Sequence, residues 1–218
     1  MNDHAGIDVN NVTDWLDAHI EGARGPYTFN LIAGGHSNLT FGVQDDANND
    51  FVLRRPPMGP VLASAHDMGR EHRIISGLQN SSVPVAPALG FCDDPGINGA
   101  PFYVMSYVDG NVVRDLDDVE TVLSVEARNN TSRSLVDTMA SIHSVDLAAT
   151  GLADLGRREG YIARQLKRWY TQWNQGKTRE LEAVDRVHAA LAARIPEQGP
   201  STIVHGDYRL DNCIVDND

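Results

Sequence analysis

The spacing of apolar residues is helical at the start of the chain and then changes to a period of two. A helix is predicted over residues 8–22, where apolar side chains recur every three or four positions. Residues 27–32 and 39–43 alternate between apolar and polar, which is typical of strands, and the loop GGHSN joins them at residues 34–38. We therefore expect a β-hairpin with a glycine-rich connection after the first helix.

The alternation continues after this hairpin and is interrupted by one helix. A third strand is predicted at residues 51–55, and further strands are predicted at residues 85–92 and 101–108, separated by the loop DDPGINGA. Between them, residues 66–79 carry apolar side chains at helical spacing, and Glu71 lies on that apolar stripe. This part of the chain thus predicts about five strands packed with a helix.

Helical spacing dominates beyond residue 110. Three helices are indicated by the apolar positions Leu135, Met139 and Ile142, then Ile162, Leu166, Trp169 and Trp173, then Val184, Val187, Leu191 and Ile195. The aromatic stripe Trp169, Tyr170 and Trp173 is expected to lie in the core, with a substrate-binding role as the alternative. Two short strands, STIV and CIV, are expected to flank the segment HGDYRLDN of residues 205–212.

Strands come first in this chain and helices second, which argues for an α+β fold. We expect two lobes joined near residues 106–112. The N-lobe, residues 1–107, is expected to hold a five-stranded sheet plus a helix. The C-lobe, residues 108–218, is expected to be mostly helical and to contain the HGDYRLDN segment.

The composition is that of an acidic globular protein. The 218 residues carry 18 Lys and Arg against 30 Asp and Glu, a formal net charge of −12. Nucleic-acid-binding proteins usually present a basic face, so we expect no nucleic-acid partner. No apolar run approaches the roughly 20 residues of a membrane span, and the first residues lack the pattern of a secretory signal. We therefore expect a cytoplasmic protein with no membrane partner.

The glycine-rich loop is the first candidate for ligand binding. Gly34 and Gly35 would let the backbone approach a ligand closely and turn N–H groups toward it, and phosphate oxygens are natural acceptors. Ser37 and Asn38 could add side-chain donors. A plain hairpin turn is the alternative. The loop is not a Walker P-loop, because no Gly-Lys-Ser/Thr follows.

Glu71 is a second candidate, because a carboxylate on an apolar helix stripe is costly unless it is paired. Arg54 and Arg55 in the third strand are the candidate partners. Strand alternation places them on opposite faces, so one can meet Glu71 while the other faces solvent. The alternative is an exposed Glu71 at the edge of the stripe.

The HGDYRLDN segment is the third candidate. Asp207 lies between two predicted strands and suits the orientation of a hydroxyl proton. Asn212, five residues later, can offer its carbonyl oxygen to a hard cation. The loop is expected to turn Asp211 elsewhere. His205 is expected to be a structural hydrogen-bonding residue rather than a base.

Taken in order, the blocks GGHSNLTF, FVLRRPPMG, AHDMGREHRII, PFYVMSYVDG and HGDYRLDN resemble the kinase-like fold. The H-G-D form of the last block is similar to that of the aminoglycoside phosphotransferase superfamily of small-molecule kinases. Together the five blocks look like the phosphotransferase domain that occurs alone or fused to acyl-CoA dehydrogenases. The resemblance covers essentially the whole chain.

The resemblance implies a role for each matching position. The residues implied to cover the phosphates of ATP are Gly34, Gly35, Ser37 and Asn38. Arg54 stands where kinases usually carry Lys and is implied to pair with Glu71, although Arg and Lys are not interchangeable at such sites. The backbone implied to bind adenine is that of Ser106 and Val108. The residues implied for transfer are Asp207, as the catalytic base or as the group that orients the acceptor hydroxyl, and Asn212 as the ligand of Mg²⁺.

The family pattern also implies a second metal-binding Asp after this loop, whereas the sequence ends at CIVDND. Asp216 and Asp218 lie in the predicted turn, so we expect a truncated C-lobe and a chain that is a fragment. The implied function is an ATP-dependent phosphotransferase acting on a small-molecule hydroxyl. A hydroxyacyl-CoA is the implied substrate, ahead of an aminoglycoside, and an acyl-CoA dehydrogenase is the suggested partner. The alternative is a catalytically silent nucleotide-binding module. The oligomeric state and the choice between ATP and GTP stay open.

Overall fold

The computed structural model describes residues 5–33, 38–59 and 66–216. The strands are β1 (Thr28–Ala33), β2 (Leu39–Gln44), β3 (Asp50–Arg55), β4 (Ala88–Cys92) and β5 (Phe102–Ser106). The helices are α1 (Val9–His19), α2 (Met68–Leu78), α3 (Pro95–Asn98), α4 (Leu116–Val122), α5 (Val125–His143), α6 (Tyr161–Gly176) and α7 (Glu182–Ala192), and a 3₁₀ turn covers Leu210–Asn212. All of these strands precede α4–α7, which confirms the α+β class.

The five strands form an antiparallel sheet in the order β1-β2-β3-β5-β4. Strand β3 therefore lies at its centre, and its pairing with β5 places Arg54 directly opposite Tyr103. Alternate residues of each strand point to opposite faces. One face is buried against α1 in a core that includes Val12, Trp15, Leu16, Phe29, Phe41, Leu53 and Phe102. The other face carries Arg54 and Tyr103 and is covered by α2, which contacts β4 and β5.

Short polar side chains fix the starts of the first five helices. Each accepts a hydrogen bond from a backbone N–H in the first helical turn, and these N-cap residues are Asp8, Asp67, Asp94, Asp115 and Ser124. Such a cap contributes about 1 kcal/mol, because it satisfies a donor that the helix itself cannot use. The cap at Asp67 places Glu71 in the first turn of α2.

A second apolar cluster joins α2 and the segment after it to the later part of the chain. Its buried members are Leu78, Val83, Ile142 and Leu152, and Ile203 and Tyr208 pack against it. The Tyr208 hydroxyl donates to the backbone carbonyl of Leu135 at 2.8 Å, and Thr202 Oγ1 donates to that of His143 at 2.6 Å. Both bonds end on α5, so Tyr208 within the 205–212 segment and Thr202 just before it are anchored to this helix.

Several elements differ from the sequence prediction. The predicted loop DDPGINGA contains the one-turn helix α3, because Asp94 caps it and Gly99 ends it in the left-handed conformation. Helix α4 was not predicted, since Leu116 is exposed and its first turn is acidic rather than an apolar stripe. Strand β4 begins at Ala88, after Pro87, rather than at residue 85.

The two short strands expected around the 205–212 segment are also not formed as predicted. Residues 201–204 carry no strand pairing, and of the CIV segment only Val215 makes an isolated antiparallel bridge, to Asn111. A strand exists only with a neighbour to pair with, and apolar side chains in sequence do not supply one. None of the described helices combines the length and the apolar character that crossing a membrane requires.

Candidate active site

Glu71 is the centre of a polar cluster between α2 and the sheet. Its Oε1 accepts a hydrogen bond of 2.7 Å from the Asn38 side-chain amide, and its Oε2 accepts one of 3.1 Å from the Tyr103 hydroxyl. Arg54 Nη1 lies 3.6 Å from the same Oε2. The predicted ion pair is therefore present, and Glu71 is not an isolated carboxylate at the edge of the stripe.

Arg54 differs from Arg55 in what surrounds it. The Arg54 side chain is 32% exposed, but its Nε is buried and has no hydrogen-bond partner. At 3.6 Å its contact with Glu71 is longer than a hydrogen bond, so the carboxylate attracts the guanidinium without engaging its N–H groups closely. A partly exposed guanidinium that is not locked into a close ion pair fits a phosphate, which accepts bidentate hydrogen bonds from arginine.

Arg55 lies on the α1 face, as alternation requires, but the prediction that it faces solvent is wrong. It is buried, and it donates to the backbone carbonyls of Gly6, Asn98 and Pro56. Burial lowers the pKa of its guanidinium. These carbonyls replace the water that a surface arginine would have, which is why a cation is tolerated here.

The glycine-rich loop lies largely outside the described residues, and this includes Gly34, Gly35 and Ser37. Asn38, its last residue, is described and buried. Besides its bond to Glu71, its Oδ1 lies 2.6 Å from His66 Nδ1. The side-chain amide of Asn38 thus contacts protein groups, so it links the end of the loop to α2.

The 205–212 segment brings Asp207 and Asn212 together. Asn212 Nδ2 donates to both the backbone oxygen and Oδ2 of Asp207, each at 2.9 Å. The Asp207 side chain is 66% exposed, so a second molecule can reach it. Because the amide nitrogen of Asn212 faces Asp207, the amide oxygen is the atom that could meet a cation.

Arg209 lies between two carboxylates of the segment. Its Nε is 3.3 Å from Asp207 Oδ1 and 3.1 Å from Asp211 Oδ1. The expectation that Asp211 turns away is therefore wrong, because both carboxylates share this guanidinium. His205 Nδ1 accepts the Asp207 backbone N–H at 3.3 Å, which is the structural role expected for it. Between them, Gly206 has φ +85°, a conformation that favours glycine.

The backbone expected to hold adenine lies at the end of β5. The Ser106 N–H donates to the Pro87 carbonyl at 2.8 Å, so only the carbonyl of Ser106 could serve a ligand. Val108 lies beyond the strand and is 38% exposed. Among the described residues there is no group of three His, Cys, Asp or Glu side chains that could hold a metal ion by itself.

The aromatic stripe of α6 does not lie in a core as predicted. Trp169 is 62% exposed, and it lines an apolar groove of about 350 Å³ between α6 and α7 together with Trp173 and Leu191. Tyr170 also lines it, stacked on His188 with ring centroids 3.9 Å apart. Packing against a single neighbouring helix covers only one side of the α6 stripe.

Two residues of the Glu71 cluster were not identified from the sequence. Tyr103 was read only as part of a strand, and His66 only as the start of a helix. The available signal for Tyr103 was its alternation within PFYVMSYV, but that signal becomes informative only when β5 is known to pair with β3.

The sequence model of the phosphotransferase enzyme family matches residues 28–218, which is most of the chain. The chain therefore belongs to the phosphotransferase enzyme family.

Among curated proteins the chain is similar to acyl-CoA dehydrogenase family members. It is 36% identical over 208 residues to family member 10 of Mus musculus, which covers 92% of this chain and 19% of that protein. It is 33% identical over 183 residues to family member 11 of Gallus gallus, which covers 84% of this chain and 23% of that protein. The chain thus spans about a fifth of the length of these relatives, and the expected resemblance is confirmed.

Solved structures support the same assignment. A candidate aminoglycoside phosphotransferase from Ralstonia eutropha superposes with a TM-score of 0.78 at 31% identity, covering 95% of this chain and 60% of that one. The streptomycin–ATP ternary complex of APH(2")-IIa superposes with a TM-score of 0.61 at 18% identity, covering 97% of this chain and 67% of that one. The kinase-like fold of aminoglycoside phosphotransferases is thereby confirmed.

Proposed function

We propose that this chain binds ATP and supplies the catalytic loop of a kinase that phosphorylates a hydroxyl group of a small molecule. The observation that carries the proposal is the double contact of Asn212 with Asp207 in a chain of the phosphotransferase family. This contact holds a carboxylate for the acceptor hydroxyl beside an amide oxygen for a cation, and phosphoryl transfer needs both in one place.

At the nucleotide end, Arg54 would bind a phosphate of ATP. Its partly exposed guanidinium and its long contact with Glu71 support this role. Gly34, Gly35, Ser37 and Asn38 would cover the phosphates, with backbone N–H groups as the donors. Adenine would contact the carbonyl of Ser106 and the backbone of Val108, just past β5.

At the transfer end, Asp207 would orient the acceptor hydroxyl and take up its proton. The exposure of its side chain supports access by a substrate. Asn212 would hold Mg²⁺ through its amide oxygen, and the bound ion neutralises charge on the transferred phosphoryl group. Arg209 would balance the adjoining carboxylates of Asp207 and Asp211 when no substrate is bound.

The proposed acceptor is a hydroxyacyl-CoA. The similarity to proteins named acyl-CoA dehydrogenase family members 10 and 11 supports an acyl-CoA substrate. An aminoglycoside is the competing acceptor, since solved relatives bind streptomycin and kanamycin and the net charge of −12 suits a cation. No contact among the described residues supports an acyl-CoA dehydrogenase as a separate partner.

The test is phosphoryl transfer by the natural protein in full, because this chain spans 60% of the solved relative from Ralstonia eutropha. The protein is incubated with ATP labelled at the γ-phosphate, Mg²⁺, and either a medium-chain hydroxyacyl-CoA or kanamycin. We expect a labelled phosphate ester on the hydroxyacyl-CoA, identified by mass spectrometry.

The decisive variant is Asp207→Asn, which keeps the shape of the side chain and removes the base. We expect loss of at least about a hundredfold in transfer, in line with general-base catalysis, with ATP affinity largely kept. The matched control is Asp211→Asn, whose carboxylate contacts the same Arg209 and which should retain most of the turnover. Unchanged transfer by Asp207→Asn would refute the assignment. ATP binding without transfer to either acceptor would instead indicate a silent nucleotide-binding module.

A further inference from the structure

Each oxygen of the Glu71 carboxylate accepts a hydrogen bond from a neutral donor, and neither accepts one from the nearby cation. Asn38 and Tyr103 make the hydrogen bonds of 2.7 and 3.1 Å, whereas Arg54 remains at 3.6 Å. An unobstructed Arg–carboxylate pair normally closes to a bidentate contact below 3 Å. The long contact in this cluster therefore needs an explanation, and the hydrogen bond from Tyr103 to the shared Oε2 supplies one.

Tyr103 is held rigidly in this position. It has no exposed surface, and its ring lies 6.2 Å from that of His72 on α2. Its register partner across β3 and β5 is Arg54, so the two side chains leave the sheet side by side on one face. Burial raises the pKa of the Tyr103 hydroxyl, so the group stays protonated and donates to Glu71 throughout the physiological range.

This arrangement leaves the positive charge and N–H donors of Arg54 available for an anionic ligand such as a nucleotide phosphate. Its Nε is buried and has no hydrogen-bond partner. The exposed 32% of the side chain therefore belongs to other atoms of Arg54. If Glu71 Oε2 were not occupied, the guanidinium could close onto the carboxylate with two N–H groups. A closed pair would offer fewer donors and less positive charge to an anionic ligand.

We propose that Tyr103 is a positioning residue for phosphate binding by Arg54. By occupying Oε2 of Glu71, its hydroxyl keeps the carboxylate near enough to orient the guanidinium and prevents the two from closing together. This inference rests on the proposed ATP-binding function and adds to it a residue to which the sequence analysis gave no role. Tyr103 acts through Arg54 and does not itself touch the nucleotide.

The experiment is titration calorimetry of the natural protein in full, as in the transfer test, with ATP plus Mg²⁺ and, separately, with adenosine. The variant Tyr103→Phe removes only the hydroxyl. We expect its affinity for ATP to fall about tenfold, the size of losing one hydrogen bond to a charged group, while its affinity for adenosine stays unchanged. If the role of Tyr103 were purely structural, Tyr103→Phe would lower the affinities for ATP and for adenosine equally.

Tyr27→Phe is the matched control. Tyr27 is also buried, and its hydroxyl donates to Asp17 of α1 at 2.7 Å. It lies just before the edge strand β1, whereas Glu71 contacts residues of β3 and β5. This variant should lose the same kind of bond and bind ATP like the parent chain. In an Arg54→Ala background, Tyr103→Phe should have no further effect on ATP affinity, because the residue through which it acts is absent.

Three results would overturn the inference while leaving ATP binding intact. They are an unchanged ATP affinity in Tyr103→Phe, an equal loss for ATP and adenosine, and a full additional loss in the Arg54→Ala background. A parent chain that binds neither ATP nor adenosine would overturn the proposed function itself, and the inference with it.

Discussion

The Arg55 side chain makes its hydrogen bonds to backbone carbonyls rather than to a carboxylate. Its guanidinium donates to carbonyls of the N-terminal segment, of α3 and of its own strand end, at Gly6, Asn98 and Pro56. The neighbouring Arg54, on the opposite face, is instead partly exposed and contacts a carboxylate. Two adjacent residues of the same type thus have different surroundings, and we propose that Arg55 serves stability while Arg54 serves ligand binding.

We expect Arg55→Met to lower the free energy of unfolding by about 2–4 kcal/mol, because it leaves buried carbonyls without donors. Arg54→Met should lower it by about 1 kcal/mol or less, since that ion pair is partly exposed. Urea denaturation measures both. For ATP affinity we expect the reverse order, with a larger loss in Arg54→Met than in Arg55→Met. Equal losses of stability in the two variants would contradict this separation.

At the scale of elements, α2 is the helix that joins the sheet to the later part of the chain. Its first turn holds Glu71 against the sheet, and its last turn packs on the segment around Thr150 and Leu152. Arg73, between these turns, donates to the Gly151 carbonyl and contacts Asp154. A displacement at the end of α2 would therefore also shift the position of Glu71.

Alanine substitutions at Gly77 and Gly69, both in α2, test how closely this helix packs on the segment around Thr150. A Cβ at Gly77 would lie 2.7 Å from the Thr150 carbonyl oxygen, whereas at Gly69 the nearest contact is 3.3 Å, to the Phe91 side chain. Alanine is favoured over glycine in helices by about 1 kcal/mol, but a clash with backbone costs about 1–3 kcal/mol and should win at Gly77. We expect Gly77→Ala to lower the melting temperature and Gly69→Ala to leave it unchanged or raise it. A rise in both variants would show that α2 does not press on this segment.

At the scale of the whole molecule, acid stability should depend on His72. Its ring stacks on Phe91 with centroids 5.4 Å apart, and burial lowers its pKa below the usual value of 6.5. Between the lowered and the usual pKa the unfolded chain binds a proton that the folded chain does not. The stability contribution of neutral His72 is therefore complete above about pH 6.5, and it is lost as the pH falls through the folded pKa.

The free energy of unfolding, measured by urea at about pH 7.5 and about pH 5, should consequently drop in the parent chain. In His72→Gln the drop should be smaller, because the titrating group is gone. His143→Gln, at an exposed position of α5, should behave like the parent chain. An identical drop in all three proteins would assign the acid sensitivity to other groups.

Local patterns were sufficient for the fold class, but they could not supply the pairing of distant segments. The alternation of Leu39, Phe41 and Val43 predicts β2 because these side chains share one buried face. By contrast, the contact of Arg54 with Tyr103 depends on β5 lying beside β3, out of chain order, and no local period encodes that. For the candidate site, spacing alone brought Asp207 and Asn212 together, because both lie in one short segment.

The places where prediction failed have a common physical cause. Trp169 has helical spacing but no element to cover it among the described residues, and Arg55 found buried carbonyls where solvent was expected. In each case the sequence determines which face a side chain occupies, and the tertiary partner determines whether that face is buried.

The placement of the tryptophans makes the intrinsic fluorescence of the protein a sum of two unlike signals. Trp15 is packed in the core between α1 and the sheet, whereas Trp169 and Trp173 line the groove beside α7. Emission from the first indole will be blue-shifted and shielded from soluble quenchers, and emission from Trp169 will be red-shifted and readily quenched. Unfolding of the sheet and loosening of the α6–α7 pair can therefore be followed as separate spectral changes in one unlabelled sample.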